Sequence, residues 1–108
     1  MIVAFSVAPS GTGRADGSVA DAVAAAVRVV RDSGLPHRTS SMFTELEGEW
    51  DEVMEVVKRA TAAVEPFGTR VSLVLKADIR PGYQGELDAK VDRLERALGA
   101  GDAADARR

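Results

Sequence analysis

The residues best suited to chemistry lie where a predicted strand meets a predicted helix, in Thr44-Glu45-Leu46-Glu47-Gly48-Glu49 with Trp50 directly after. A carboxylate beside an indole can hold a cationic or amino-substituted aromatic ring, the oxygen accepting an N–H and the indole offering a stacking face. Glu47 fits the first role, because Gly48 lets the backbone turn beside it, and Trp50 the second; plain packing is the competing reading of Trp50. Glu49, Asp51 and Glu52 crowd a first helical turn, where carboxylates ordinarily balance the helix dipole. Lys76 and Arg80, four apart near a strand end, suit an anion or neighbouring carboxylates. His37 has no second histidine to work with. The chain shows no nucleophile–base–orienter set and no metal-ligand spacing.

The totals exclude several classes. A chain of 108 residues is one domain with one core. Its formal charge of −3 gives no reason to expect nucleic acid, whose binding rests on a positive surface. With no cysteine there are no disulfides, thiolate chemistry or cysteine-ligated metals. The apolar run over residues 1–8 is too short for a signal peptide or a membrane span, so the expected location is cytoplasmic.

The elements that must position these residues follow from periodicity. Thr69 to Ile79 alternates Val71, Leu73, Leu75, Ala77 and Ile79 with mostly polar neighbours, which predicts a strand with one apolar face, read as the central one. Such a face asks for helices on one side of the sheet. Met1 to Ala8 is apolar almost throughout and reads as a mid-sheet strand covered on both sides. Pro9 to Gly17 is a loop, and its glycines lack the third member of a dinucleotide fingerprint. Ser18 and Asp21 have capping-box spacing before a helix over about 19–33, with Val19, Val23, Ala26, Val27 and Val30 as its apolar face. Gly34 is its C-cap. Two short strands cover 37–48 with a turn near Ser40 to Phe43. A second helix over about 49–65 presents Val53, Val56, Val57, Ala60 and Val64. A third carries Leu87, Val91, Leu94 and Leu98, ends at Gly99, and leaves 99–108 as a flexible tail.

The order βαββαβα contains two β-α-β halves. The expected fold is therefore α+β, a ferredoxin-like split βαβ with an antiparallel sheet and an added C-terminal helix, all within residues 1–98. Ile2, Ala4 and Val74 would make the open sheet face too apolar for water, which predicts self-association there or cover from the third helix.

In the order and spacing of its segments the chain resembles the small thiamine-binding proteins of the YkoF-like family, once grouped as a domain of unknown function. The segments are Met1-Ile2-Val3 leading to Val7-Ala8-Pro9, Ser33-Gly34-Leu35, Met42 to Glu49, Gly68 to Ser72, Lys76 to Arg80, and Lys90-Val91. The resemblance implies the same fold, homodimers or tetramers in which sheets join or pack, and a site for thiamine or its aminopyrimidine part near subunit contacts. It further implies that Thr44 exchanges a hydrogen bond with the pyrimidine, that Glu47 receives its exocyclic amine, and that Phe43 or Trp50 supplies a stacking surface. Phe43 stands where the family often has glycine. Lys76 and Arg80 would suit a phosphate. Strict alternation puts Thr44 and Glu47 on opposite faces unless a bulge, the Gly48 bend or a neighbouring subunit intervenes.

The sequence thus points to a non-catalytic binder of thiamine or a related aminopyrimidine, with no cofactor, nucleic acid or membrane partner. The rivals are an oligomeric regulatory module without a small ligand, and weak pyrimidine chemistry with Glu47 as base.

Overall fold

Alternation on the first strand sets the layers. In the computed structural model, which describes residues 1–11 and 19–105, β1 (Ile2–Ser10) buries Val3, Phe5 and Val7 and leaves Ile2, Ala4 and Ser6 half-covered on the other face. The remaining elements are α1 (Ala20–Asp32), β2 (His37–Thr39), β3 (Thr44–Glu47), α2 (Trp50–Val64), a 3-10 turn over Glu65–Phe67, β4 (Arg70–Asp78) and α3 (Glu86–Asp105). The four strands form one antiparallel sheet in the order β2-β3-β1-β4, the ferredoxin-like arrangement expected. The turn between β2 and β3 closes with the Ser40 amide donating to the Phe43 carbonyl, as placed from the sequence.

The position of β4 corrects the first expectation. It pairs with β1 along its whole length, Ile2 opposite Asp78 through Ser10 opposite Arg70, and has no second neighbour among the described residues. It is an edge strand, and β1 is central. The physical reason lies in exposure: Leu73 and Val74 remain 43% and 55% exposed, so β4's clean alternation reports a strand covered on one side and only in part. The near-continuous apolar run of β1 was the better sign of a central strand.

The core lies between the sheet and α1 and α2. Val3, Phe5 and Val7 from β1 and Leu46 from β3 meet Val30 of α1 and Val53, Val57, Ala60 and Val64 of α2. The α2 face is the one its periodicity predicts. Its start is a capping box in which Glu49 and Glu52 side chains each take the other's backbone amide. In α1 the buried face is Ala22, Ala26 and Val30, one position round from the valine-led face expected, and Val23 is 40% exposed. Small side chains let α1 lie close to the core, which turns Val19, Val23 and Val27 toward the sheet end instead. Gly34 has φ of 75°, as a C-cap glycine should. The expected Ser18 cap, and most of the loop before it, lie outside the described residues.

The third helix departs most from expectation. It runs past Gly99 and Gly101 to Asp105, since each glycine costs a helix only about 1 kcal/mol and alanines at 100, 103 and 104 favour its continuing. Leu87 is buried, but Val91, Leu94 and Leu98 of the same stripe are 42–56% exposed. The radius of gyration is 17.3 Å, against roughly 13 Å for a compact chain of this length, and every residue of this helix from Val91 to Ala100 is exposed.

Two core tests follow. Leu46→Ala removes a fully buried side chain from the middle of the sheet and should cost about 2–5 kcal/mol in chemical denaturation. Gly68→Ala brings a Cβ to 2.4 Å from the Ser10 carbonyl oxygen, a backbone atom that cannot swing aside, and should lower the denaturation midpoint although nothing is removed.

Candidate functional site

Register decides which candidates can meet. In the β1–β3 pairing, Phe5 faces Thr44 and Val3 faces Leu46, so Thr44 lies on the core side. Ile2 faces Glu47 and Ala4 faces Glu45, so Glu47 lies on the open side. The pairing has no bulge, and the sheet stands between the Thr44 and Glu47 side chains.

Thr44 is 8% exposed and borders a pocket of about 210 Å³ at the end of the core. The pocket's walls are Phe5 and Val7 of β1, Val23 and Val27 of α1, and Met42 and Phe43 of the β2–β3 turn. Among the described residues the Thr44 hydroxyl takes part in no hydrogen bond, while every fully sealed side-chain polar atom has a partner. Thr44 therefore presents a free donor and acceptor in a recess of mixed lining, with Ser6, Thr39, Ser40 and Ser41 beside the apolar side chains, an arrangement that can orient a ring carrying polar atoms. Phe43 is half-buried and forms part of the rim; Met42, 74% exposed, stands beside it. The sequence does not single out Met42 as a site residue, and its periodicity puts Val23 and Val27 on the buried face of the first helix. The outward turn of Val23 appears only once Ala22 and Ala26 are seen to take the buried face.

Glu47 has a different occupation. It is buried, and its carboxylate accepts hydrogen bonds from the first two amides of α3: Glu86 N–H donates to Oε2 at 2.9 Å and Leu87 N–H to Oε1 at 3.2 Å. An anion at a helix N-terminus satisfies amides that the helix cannot and meets the positive end of its dipole. Glu47 also borders a cleft of about 370 Å³ with Leu35, Tyr83 and Glu52. Gly48 beside it allows close packing, since a Cβ there would press Val53 and Leu35.

Trp50 and Arg80 come together at a third place, around Pro81 and Tyr83, where both are exposed. The Arg80 guanidinium lies 3.6 Å from the centre of the Tyr83 ring, a cation–π contact three residues apart in a turn closed by Tyr83 N–H donating to the Arg80 carbonyl. Lys76 sits apart from Arg80, on the open face opposite Ala4. The six candidates therefore fall in three places: Phe43 and Thr44 at one pocket, Lys76 on the open sheet face, and Glu47, Arg80 and Trp50 around Tyr83, where Glu47 and Arg80 line a small pocket together and Trp50 and Arg80 line the next.

Around α3 the charges are paired. Arg93 bonds Glu86, Lys90 bonds Asp78, and Arg38 bonds Asp88. The Arg93 hydrogen bond holds the Glu86 carboxyl below its ordinary range, and the Lys90 hydrogen bond does the same for Asp78. Among the described residues no helix is long and apolar enough to cross a membrane.

This is an α+β domain of ferredoxin-like layout with a small-molecule-sized recess between sheet and helix. The chain belongs to the thiamine-binding protein family, whose model matches residues 3–95. It is 50% identical over 99 residues to UPF0045 protein Mb1933 of Mycobacterium bovis, covering 91% of this chain and 94% of that one. A hypothetical protein of Methanocaldococcus jannascii shares the fold with a TM-score of 0.77 at 30% identity, over 87% of this chain and 94% of the other. A Thermotoga maritima structure provisionally assigned to thiamine biosynthesis or salvage is similar with a TM-score of 0.68 at 26% identity, over 82% and 94%.

The depressed carboxyls carry a pH consequence. A carboxyl whose folded pKa lies below its unfolded value adds stability above the unfolded pKa and loses it as pH falls through the folded one. The Asp78 and Glu86 contributions should thus be complete at neutral pH and disappear only below about pH 4. Carboxyl NMR titration should place both midpoints below the ordinary range. In 1 M salt, where the screening length is about 3 Å, exposed Asp78 should return toward normal and buried Glu86 should move less. Equal movement of the two would contradict the difference in burial.

Proposed function

We propose that this protein binds thiamine or a related aminopyrimidine without changing it, and that the ring seats in the recess floored by Thr44. The observation that carries the reading is the unpartnered Thr44 hydroxyl, open to a partly apolar pocket, in a chain of the thiamine-binding family. The Thr44 hydroxyl exchanges a hydrogen bond with the pyrimidine, and Phe43 lies against its face. Glu47, Trp50, Lys76 and Arg80 border no part of this pocket, so they reach the same ligand only across a contact between two copies. Among the described residues lining the recess none is placed as a general base, which favours binding over chemistry.

Self-association belongs to the same reading. β4 is a nine-residue edge with unpaired backbone groups along one side, and Val74 on the open face is more than half exposed. Such edges are ordinarily blunted or paired. Pairing or face-to-face packing of two sheets would satisfy both features and form a dimer, with α3's exposed stripe available for a tetramer.

Titration calorimetry with thiamine, with light scattering on the same sample, tests both parts. Saturable heat is expected, and Thr44→Val should weaken binding about three- to tenfold while the denaturation midpoint stays near that of the parent. Unchanged affinity in that variant would remove the ring from this recess. Mass balance should recover the ligand intact; turnover would replace the binding reading with an enzymatic one. Val74→Glu should lower the scattering mass, and a mass unaffected by this charge would move the subunit contact off the open face.

A further inference from the structure

The attachment of α3 is mostly polar, and its one firm point is Glu47. Of its described side chains only Glu86 and Leu87 are buried, and every residue from Val91 to Ala100 is exposed. Against that single leucine stand two buried amide bonds to the Glu47 carboxylate and the ion pairs of Arg93, Lys90 and Asp88. Exposed pairs contribute little, whereas hydrogen bonds to a buried charge contribute more. The connection from β4 is suited to movement. It runs through Gly82 and Gly85, both at positive φ, of 83° and 68°, with no atom within 4 Å of where a Cβ would stand. Under the helix lies a groove of about 280 Å³ whose floor is Ile2 and Ala4 of the open sheet face with Glu45, Lys76 and Asp78 beside them, and whose wall is Leu87, Val91 and Leu94.

We propose that α3 is a strap over the open sheet face, clasped at its first turn by Glu47 and able to open as a unit while the βαββαβ core stays folded. Closed, it shelters Ile2 and Ala4; open, it swings about Gly82 and Gly85 and uncovers them. Glu47 acts as a positioning residue for the helix and touches no ligand in this role. The inference is independent of what occupies the Thr44 recess, which is on the other side of the sheet.

Hydrogen exchange on the full chain tests it, with Glu47→Gln as the first variant. The amide cannot match a carboxylate as acceptor of two N–H groups, so α3 amides should exchange about tenfold to a hundredfold faster, while those of β1 and α2 keep their protection. Lys90→Gln combined with Arg93→Gln leaves Glu47 in place and alters only the outer pairs. It should loosen α3 by a smaller factor with the core equally protected, and it serves if Glu47→Gln does not fold. The strap is overturned if α3 amides stay as slow as those of the core, or if they lose protection only together with β1 and α2.

Discussion

The pairing of β1 with both β3 and β4 governs everything else in this chain. One strand with two neighbours fixes the face of each residue opposite it, because a side chain cannot change side without a slip or a bulge. From that single register Thr44 goes to the core and Glu47 to the open face. The same register places Lys76 beside Ala4 and Asp78 beside Ile2. The two faces then meet different needs. The core face is closed by α1 and α2 through apolar contacts, and the open face holds one helix mainly through charge.

Much of this was legible from sequence, and the parts that were not share a cause. α2 announced its buried face because Val53, Val56, Val57, Ala60 and Val64 recur at helical spacing among charged residues. α1 did not, because alanine and valine both satisfy an apolar pattern, and only packing distance selects the smaller face. The central strand was misplaced for a similar reason. Alternation marks a strand with one wet side, while a strand in the middle of a sheet need not alternate cleanly. β4 alternates well because it is an edge.

The candidate site shows the same limit. Segment 42–50 held several chemically suggestive residues in a row, and sequence proximity made them look like one site. Phe43 and Thr44 do adjoin one recess, yet Glu47, only three residues on, spends both carboxylate oxygens on α3. No local pattern reveals that use, since its partners lie 39 and 40 residues further along the chain. What the sequence did contain was the alternation itself, and strict alternation already set Thr44 and Glu47 apart.

The separation of the two faces keeps the recess independent of the sheet edge and the open face. A recess on the core side uses space left where α1 presents valines instead of closing down on the sheet, so it takes nothing from the edge or the open face. Those surfaces remain available for a second copy. A carboxylate buried under α3 would be costly if it stood alone, and the helix N-terminus supplies the donors that make it tolerable. The same bond makes the helix conditional: where a core helix is held by many interchangeable apolar contacts, α3 depends on one oriented pair of hydrogen bonds. Apolar residues along its free length stay exposed, and the fold ends in a helix only partly docked.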